Sequence, residues 1–262
     1  MMIDTYSRKS PAKKEGEDAF SINENRTVVS IFDGVTPLDP YTNDDGHNGA
    51  YLAANLFKEH FSKISGEVDL KQEIITANKR LHDEMVKHNI NFSFKHALWS
   101  TCAIVVSIGS DHINYAYVGD CELIMVDHQG EITVLTEGSS LEEGQGQDMV
   151  LPDEKVFEHL SEEYKQLAYR RYKANYAGGY GIANGMEEMK NWVRGGRIDQ
   201  ASVRYLLLVS DGMLHERREL PDVTLKVIDL GVEQYAIELE QYELNHRLYT
   251  DDKTGILLKW HK

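Results

Sequence analysis

The chain has 262 residues, enough for one large domain or two small ones and for a sizeable core. Its residues are 41% hydrophobic and 27% charged, as in an ordinary soluble globular protein, and a formal net charge of −15 argues against a nucleic-acid role, which needs clustered Lys and Arg. The longest apolar runs, 103–106 and 205–209, are far too short to cross a bilayer.

The opening Met1-Met2-Ile3-Asp4 carries no basic-then-apolar leader, so secretion is not expected. Cys102 and Cys121 both sit in apolar, strand-like runs. They read as small buried hydrophobes in a reducing cytoplasm, not as a disulfide framework.

In chain order, residues 18–22 alternate as a strand, and 27–32 form a β-branched apolar strand. Asn23-Glu24-Asn25 turns between them. Residues 37–48 are rich in turn formers and read as a loop. Residues 50–64 and 70–88 carry helical apolar spacing, through Leu52, Leu56, Phe57 and Phe61 and then Ile74, Ile75, Leu81 and Met85. Strands are expected over 101–108, 113–119, 122–127 and 132–135. Residues 139–175 are polar and hard to assign, with a helix-like stretch over 154–172. A glycine-rich turn at 177–181 leads into 187–193. A buried strand over 205–209, a helix over 232–248 and a strand over 255–260 complete the chain. No repeat, low-complexity stretch or linker interrupts it, which gives one domain over 1–262. Antiparallel strands with helices early and late predict an α+β fold with sheets packed between helices.

The acids that matter lie at strand ends. Glu17-Asp18 precedes Ala19-Phe20, Asp33 follows Ile31-Phe32, Asp211 follows Leu207-Leu208-Val209-Ser210, Asp251-Asp252 precedes the last strand, and Asp120 follows Tyr117-Val118-Gly119. A carboxylate beside an apolar strand is partly desolvated, which is costly unless a cation or hydrogen bonds compensate. Brought together, such carboxylates repel one another unless a divalent cation neutralises them. Oxygen ligands with few histidines suit Mg²⁺ or Mn²⁺ better than zinc or copper. Any single strand-Asp-Gly step is more often a simple turn. The set carries more weight than its parts.

Glu17-Asp18-Ala19-Phe20, Phe32-Asp33-Gly34, Val118-Gly119-Asp120, Leu135-Thr136, Val209-Ser210-Asp211-Gly212 and Asp251-Asp252-Lys253-Thr254 occur in this order. In these motifs and their spacing the chain resembles the metal-dependent type 2C serine/threonine protein phosphatases, from about residue 4 to 260. The segment 139–175 matches poorly and reads as a variable insert. The resemblance implies a four-layer α-β-β-α sandwich with two Mn²⁺ or Mg²⁺ ions at one end. Asp33 would bridge both ions and the Gly34 carbonyl would bind one. Asp211 and Asp251 would bind the other, and Glu17 and Asp18 would orient waters. Asp120 would match an acid near a third, weaker metal site. Asp252 would stand where the family has Asn, held more loosely. The implied reaction is in-line attack on phosphoserine or phosphothreonine by a water activated between the two ions, with no covalent phospho-enzyme.

Three positions depart from the family pattern. Where an Arg usually grips the substrate phosphate, this chain has Lys13, a point charge without the bidentate fork; Lys13 and Lys14 also read as a solvated pair, and Arg8 is a possible substitute. No His follows Asp33-Gly34. His47, just before the first long helix, is either the proton donor for the leaving alkoxide or an ordinary surface His. Cys121-Glu122 stands where Ser-Arg is usual. The resemblance therefore implies a phosphoprotein phosphatase, with two alternatives: a weakly catalytic module used for binding or regulation, or an enzyme for a small phosphate ester. The expected partner is a phosphorylated protein, with no nucleic acid and no membrane.

Overall fold

The computed structural model describes residues 1–36, 38, 41–136, 157, 161–214 and 219–260. Two five-stranded sheets, each wholly antiparallel, stack face to face. One has the order β1 (Met2–Arg8), β10 (Lys253–Lys259), β9 (Val203–Val209), β6 (Glu122–Asp127), β7 (Ile132–Val134). The other has the order β2 (Ala19–Ile22), β3 (Val28–Gly34), β4 (Thr101–Ile108), β5 (His112–Val118), β8 (Arg194–Asp199).

Period-two alternation sorts each central strand between two cores. Val29, Ile31, Ile104 and Val106 face Leu206, Leu208, Ile256 and Leu258 between the sheets. On the same strands Val28, Phe32, Ala103 and Val105 turn outward, beneath helices α1 (Gly49–Ser62) and α2 (Leu70–Lys87). Phe32 packs on Phe57 and Phe61, with ring centroids 5.7 and 5.6 Å away. Leu207, Val209 and Leu257 point the other way, under α4 (Leu220–Leu230) and α5 (Val232–His246). The result is the expected four-layer α-β-β-α sandwich. Strands buried on both faces have no polar side to show, which is why they appear in the sequence as continuous apolar runs.

Local signals place the helix ends. Asn48 caps α1 by accepting from the Tyr51 N–H, and Asp69 caps α2 by accepting from Lys71 and Gln72. Gly231, at φ +86°, separates α4 from α5. Helix α3 (Glu162–Tyr172) lies within the expected helix-like stretch, of which residues 154–156 and 158–160 are outside the described residues. Most of the poorly matching 139–175 segment is likewise outside them up to residue 160. Tyr172 fastens α3 by donating from its hydroxyl to the Ser93 carbonyl at 3.0 Å, and it packs edge-on to Phe157.

Candidate active site

The topology brings five strand ends to one edge of the sandwich. Asp33 is in phase with Val29 and Ile31, so its side chain follows theirs into the space between the sheets, one step beyond the apolar core. Ala19 pairs with Phe32, which sets Asp18 beside Asp33. Val209 pairs with both Gly255 and Glu122, so Asp211, the 251–252 pair and the Gly119-Asp120 turn arrive at the same edge.

The electrostatics record this convergence. The Asp33 carboxyl is pushed well above its usual range, first by burial and then by the charges of Asp18, Asp211, Asp120 and Asp251. Asp18 rises to about 7, chiefly from burial, with Asp252 and Asp211 adding to it while the Ser210 hydroxyl donates to its Oδ2 at 2.8 Å. Asp211, an exposed residue at the rim of the site, rises to about 6 through desolvation of its carboxyl and the charges of Asp120 and Asp251. Among the described residues no three His, Cys, Asp or Glu side chains are already drawn into a closed coordination shell. The Asp33 and Asp211 carboxyls approach closely enough to hydrogen-bond each other, and the Lys13 ammonium stands against Glu17 and Asp251. The donor set is hard oxygen, with repulsion that a divalent cation relieves, so the residues fit Mg²⁺ or Mn²⁺.

Lys13 is not a solvated lysine. Its Nζ lies 2.7 Å from Glu17 Oε2, 2.6 Å from Asp251 Oδ1 and 3.5 Å from Asp252 Oδ2. Burial opposes its charge, but the bonds to Asp251 and Glu17 outweigh burial and raise its pKa. Arg8 is drawn away to Glu240 at 3.3 Å. Glu17, only 3% exposed, spends both oxygens on the chain: Oε1 accepts from Asn48 Nδ2 and Oε2 from the Thr36 hydroxyl, each at 2.6 Å.

His47 sits at the start of α1, its ring stacked on Tyr51 at 3.9 Å. Its Nδ1 bonds Glu15 Oε2 at 2.6 Å, and Glu15 Oε1 accepts from the Asn48 N–H. His47 is thus tied to the segment carrying Glu17, and its own hydrogen bond goes to Glu15 and not to Asp33 or Asp211.

Asp252 corrects the expectation of a loosely held residue. It is 2% exposed; its Oδ1 accepts from the Ser10 N–H at 2.6 Å, and its Oδ2 from the N–H groups of Glu17 and Asp18 at 2.5 and 3.3 Å. It fixes the backbone that presents the Glu17-Asp18 pair. Thr36, Asn48 and Ser210 also support the site. Only Ser210 lay in a motif that the sequence singled out.

Two glycines allow the close approach. A Cβ on Gly34 would meet the Glu17 carbonyl oxygen at 2.4 Å and that of Ala50 at 2.6 Å, and one on Gly212 would meet the Asp252 carbonyl oxygen at 1.8 Å. The Cys102 and Cys121 thiols are buried and held well above their ordinary range by burial and by the nearby aspartates, so neither is a nucleophile. A cavity of about 200 Å³ opens beside Asp211 and Asp251, walled by Leu214, Leu248 and Tyr249.

The same architecture occurs in solved bacterial phosphatases. A bacterial serine phosphatase aligns with a TM-score of 0.64 at 15% identity, covering 100% of this chain and 98% of the other. The serine/threonine phosphatase Stp1 from Staphylococcus aureus gives 0.62 at 15% identity, covering 99% and 95%. The catalytic domain of the phosphatase PstP, in complex with two manganese ions, gives 0.60 at 13% identity, covering 98% and 96%. No curated protein matches the chain significantly. The family model described as protein phosphatase 2C matches residues 12–248, a span that holds every acid at the edge except the 251–252 pair. The chain belongs to the protein phosphatase 2C family and is a metal-dependent protein serine/threonine phosphatase.

Proposed function

We propose that the chain, acting as one catalytic unit over 1–262, hydrolyses phosphoserine and phosphothreonine in cytoplasmic proteins with two Mn²⁺ or Mg²⁺ ions. Asp33, the Gly34 carbonyl, Asp211 and Asp251 would hold them, Glu17 and Asp18 would orient water, and Asp120 would serve a third, weaker site. The observation that carries this reading is the half-buried Asp33 carboxyl, raised by desolvation and by the charges of four other carboxylates at the same edge. When bound, two divalent cations supply a nucleophilic water at neutral pH and neutralise charge on the phosphoryl oxygens.

The chain's own residues do the rest. Asp252 and Ser210 hold the Glu17-Asp18 pair at its edge. Lys13 places one positive charge between Glu17 and Asp251, within reach of an incoming phosphate. With His47 in its imidazolium form, Nδ1–H donates to Glu15 and the second proton, on Nε2, is the one it would give to the departing alkoxide, leaving the neutral Nδ1–H tautomer. For the location, the support is that no helix among the described residues is long and apolar enough to cross a membrane.

The test compares a phosphothreonine peptide with p-nitrophenyl phosphate, using wild type and His47→Gln with Mn²⁺. Loss of about a hundredfold on the peptide, with little loss on the aryl ester, is the expected result for a proton donor. Equal losses on both substrates would remove His47 from that role.

A further inference from the structure

Next to the metal edge lies a second cavity, of about 320 Å³, between α3 and the Gly119-Asp120 turn. Val35, Asp120, Arg170, Arg171 and Tyr180 line it, whereas Asp33, Asp211 and Asp251 do not. It is a neighbour of the hydrolytic centre, open to whatever flanks a bound phosphoryl group.

Its charge runs against the rest of the molecule. The chain carries 43 acids against 28 Lys and Arg, and the ion pairs among the described residues use Arg8 and Arg80 but neither Arg170 nor Arg171. Arg171 is aimed by donating from Nη2 to the Thr36 carbonyl at 2.9 Å, and the Thr36 hydroxyl in turn bonds Glu17. Arg171 also hydrogen-bonds the Tyr180 phenol, and among the described residues these two bonds leave the guanidinium's remaining N–H donors for a ligand. Arg170 and Arg171 both act on the Tyr180 phenol, where they oppose the upward push of burial, so the two charges converge on one wall. Tyr172, anchored on Ser93, holds the last turn of α3 that bears them.

We propose that Arg170 and Arg171 form a subsite for an anionic group flanking the phosphorylated residue, so that the preferred substrate is an acidic phosphopeptide. This rests on the phosphatase reading above. An acidic segment approaching a strongly negative protein is repelled by most of its surface, and two arginines beside the centre convert that approach into local attraction and set the register of the peptide. A guanidinium pair takes carboxylate or phosphate oxygens through the same fork, so the anion is a Glu or Asp side chain or a second phosphoserine.

The test measures binding of fluorescent peptides that carry a non-hydrolysable phosphonate in place of the phosphate ester, with Mn²⁺ present. The flanking residues are glutamate, phosphoserine or lysine. Wild type should bind the glutamate or phosphoserine peptide roughly tenfold more tightly than the lysine peptide, the scale of two partly exposed charge pairs. In Arg170→Met/Arg171→Met that ratio should fall to about one. Arg170→Met alone breaks no hydrogen bond among the described residues and should lower the ratio partway. A gain with phosphoserine only assigns the subsite to a second phosphate. No preference in wild type, or a preference intact in the double variant, overturns the proposal. Because binding is read without turnover, an inactive wild type that keeps the preference would sink the phosphatase reading and leave the subsite standing.

Discussion

Replacing Asp18 by Asn should stabilise the metal-free protein at alkaline pH, because the carboxylates at the metal edge repel one another. The Asp18 carboxyl titrates near 3.8 in the unfolded chain and at about 7 in the folded one. A group whose folded pKa is raised costs nothing below its unfolded value, and folding loses stability as pH rises from there through the folded value. The window therefore runs from about pH 4 to about pH 7. At about 1.4 kcal/mol per pKa unit the full loss is about 4 kcal/mol, of which roughly 2.5 kcal/mol falls between pH 5 and pH 8. Asp33 and Asp211 share these protons, so the sum belongs to the cluster and a single substitution recovers part of it. Urea unfolding in EDTA at pH 5 and pH 8 measures this directly. Wild type should be less stable at pH 8 than at pH 5, and Asp18→Asn should shrink that difference by roughly 1–3 kcal/mol. A variant with the same pH dependence as wild type would refute the claim that repulsion at this edge destabilises the metal-free fold.

Three further substitutions probe the supports. Lys253→Met leaves Glu243, its partner at 2.7 Å, buried without a counter-charge, and should cost roughly 3 kcal/mol in urea unfolding; adding Glu243→Gln should restore most of it, and no recovery would show that the pair is not the cause. Asp252→Asn turns an amide N–H toward backbone N–H groups, so stability should fall by roughly 2 kcal/mol and Mn²⁺ binding by calorimetry should weaken; unchanged metal affinity would remove Asp252 as the holder of the Glu17-Asp18 backbone. Gly34→Ala drives a methyl into the Glu17 and Ala50 carbonyls and should weaken Mn²⁺ binding even in protein that still folds, whereas native affinity would mean that the edge tolerates the displacement.

Much of the fold was legible because the central strands are buried on both faces. β4 and β6 span the stretches expected from the sequence, Thr101–Ile108 and Glu122–Asp127, each built around an apolar run. The missed elements lack that signal. β1 is an edge strand with a polar, half-buried sequence that pairs, among the described residues, with β10 alone. β8 reads Arg-Gly-Gly-Arg-Ile-Asp; its Gly195 gives way to the Tyr115 carbonyl, so the residues that fit it to the sheet edge are poor strand formers. α4 is dense in β-branched residues and starts with Pro near its N-terminus, so its identity comes from packing on the sheet, not from propensity.

The acids at the site were legible for a related reason, since each interrupts or borders an apolar run where a charge is out of place. Their supports were not. The bonds from Thr36 and Asn48 to Glu17, and from three backbone N–H groups to Asp252, join residues that only the tertiary fold brings together. Sequence alone leaves Lys13 as either a phosphate-gripping cation or one of a solvated pair, and the fold encloses it among three carboxylates.

The most direct test of the whole account is phosphate release from a phosphothreonine peptide by wild type and by Asp33→Asn, with Mn²⁺ and with excess EDTA. Release by wild type with Mn²⁺, none with EDTA and none from a folded Asp33→Asn variant under either condition is the predicted result. Release that persists in EDTA, or in the variant, would contradict the assignment of the metal centre to this edge.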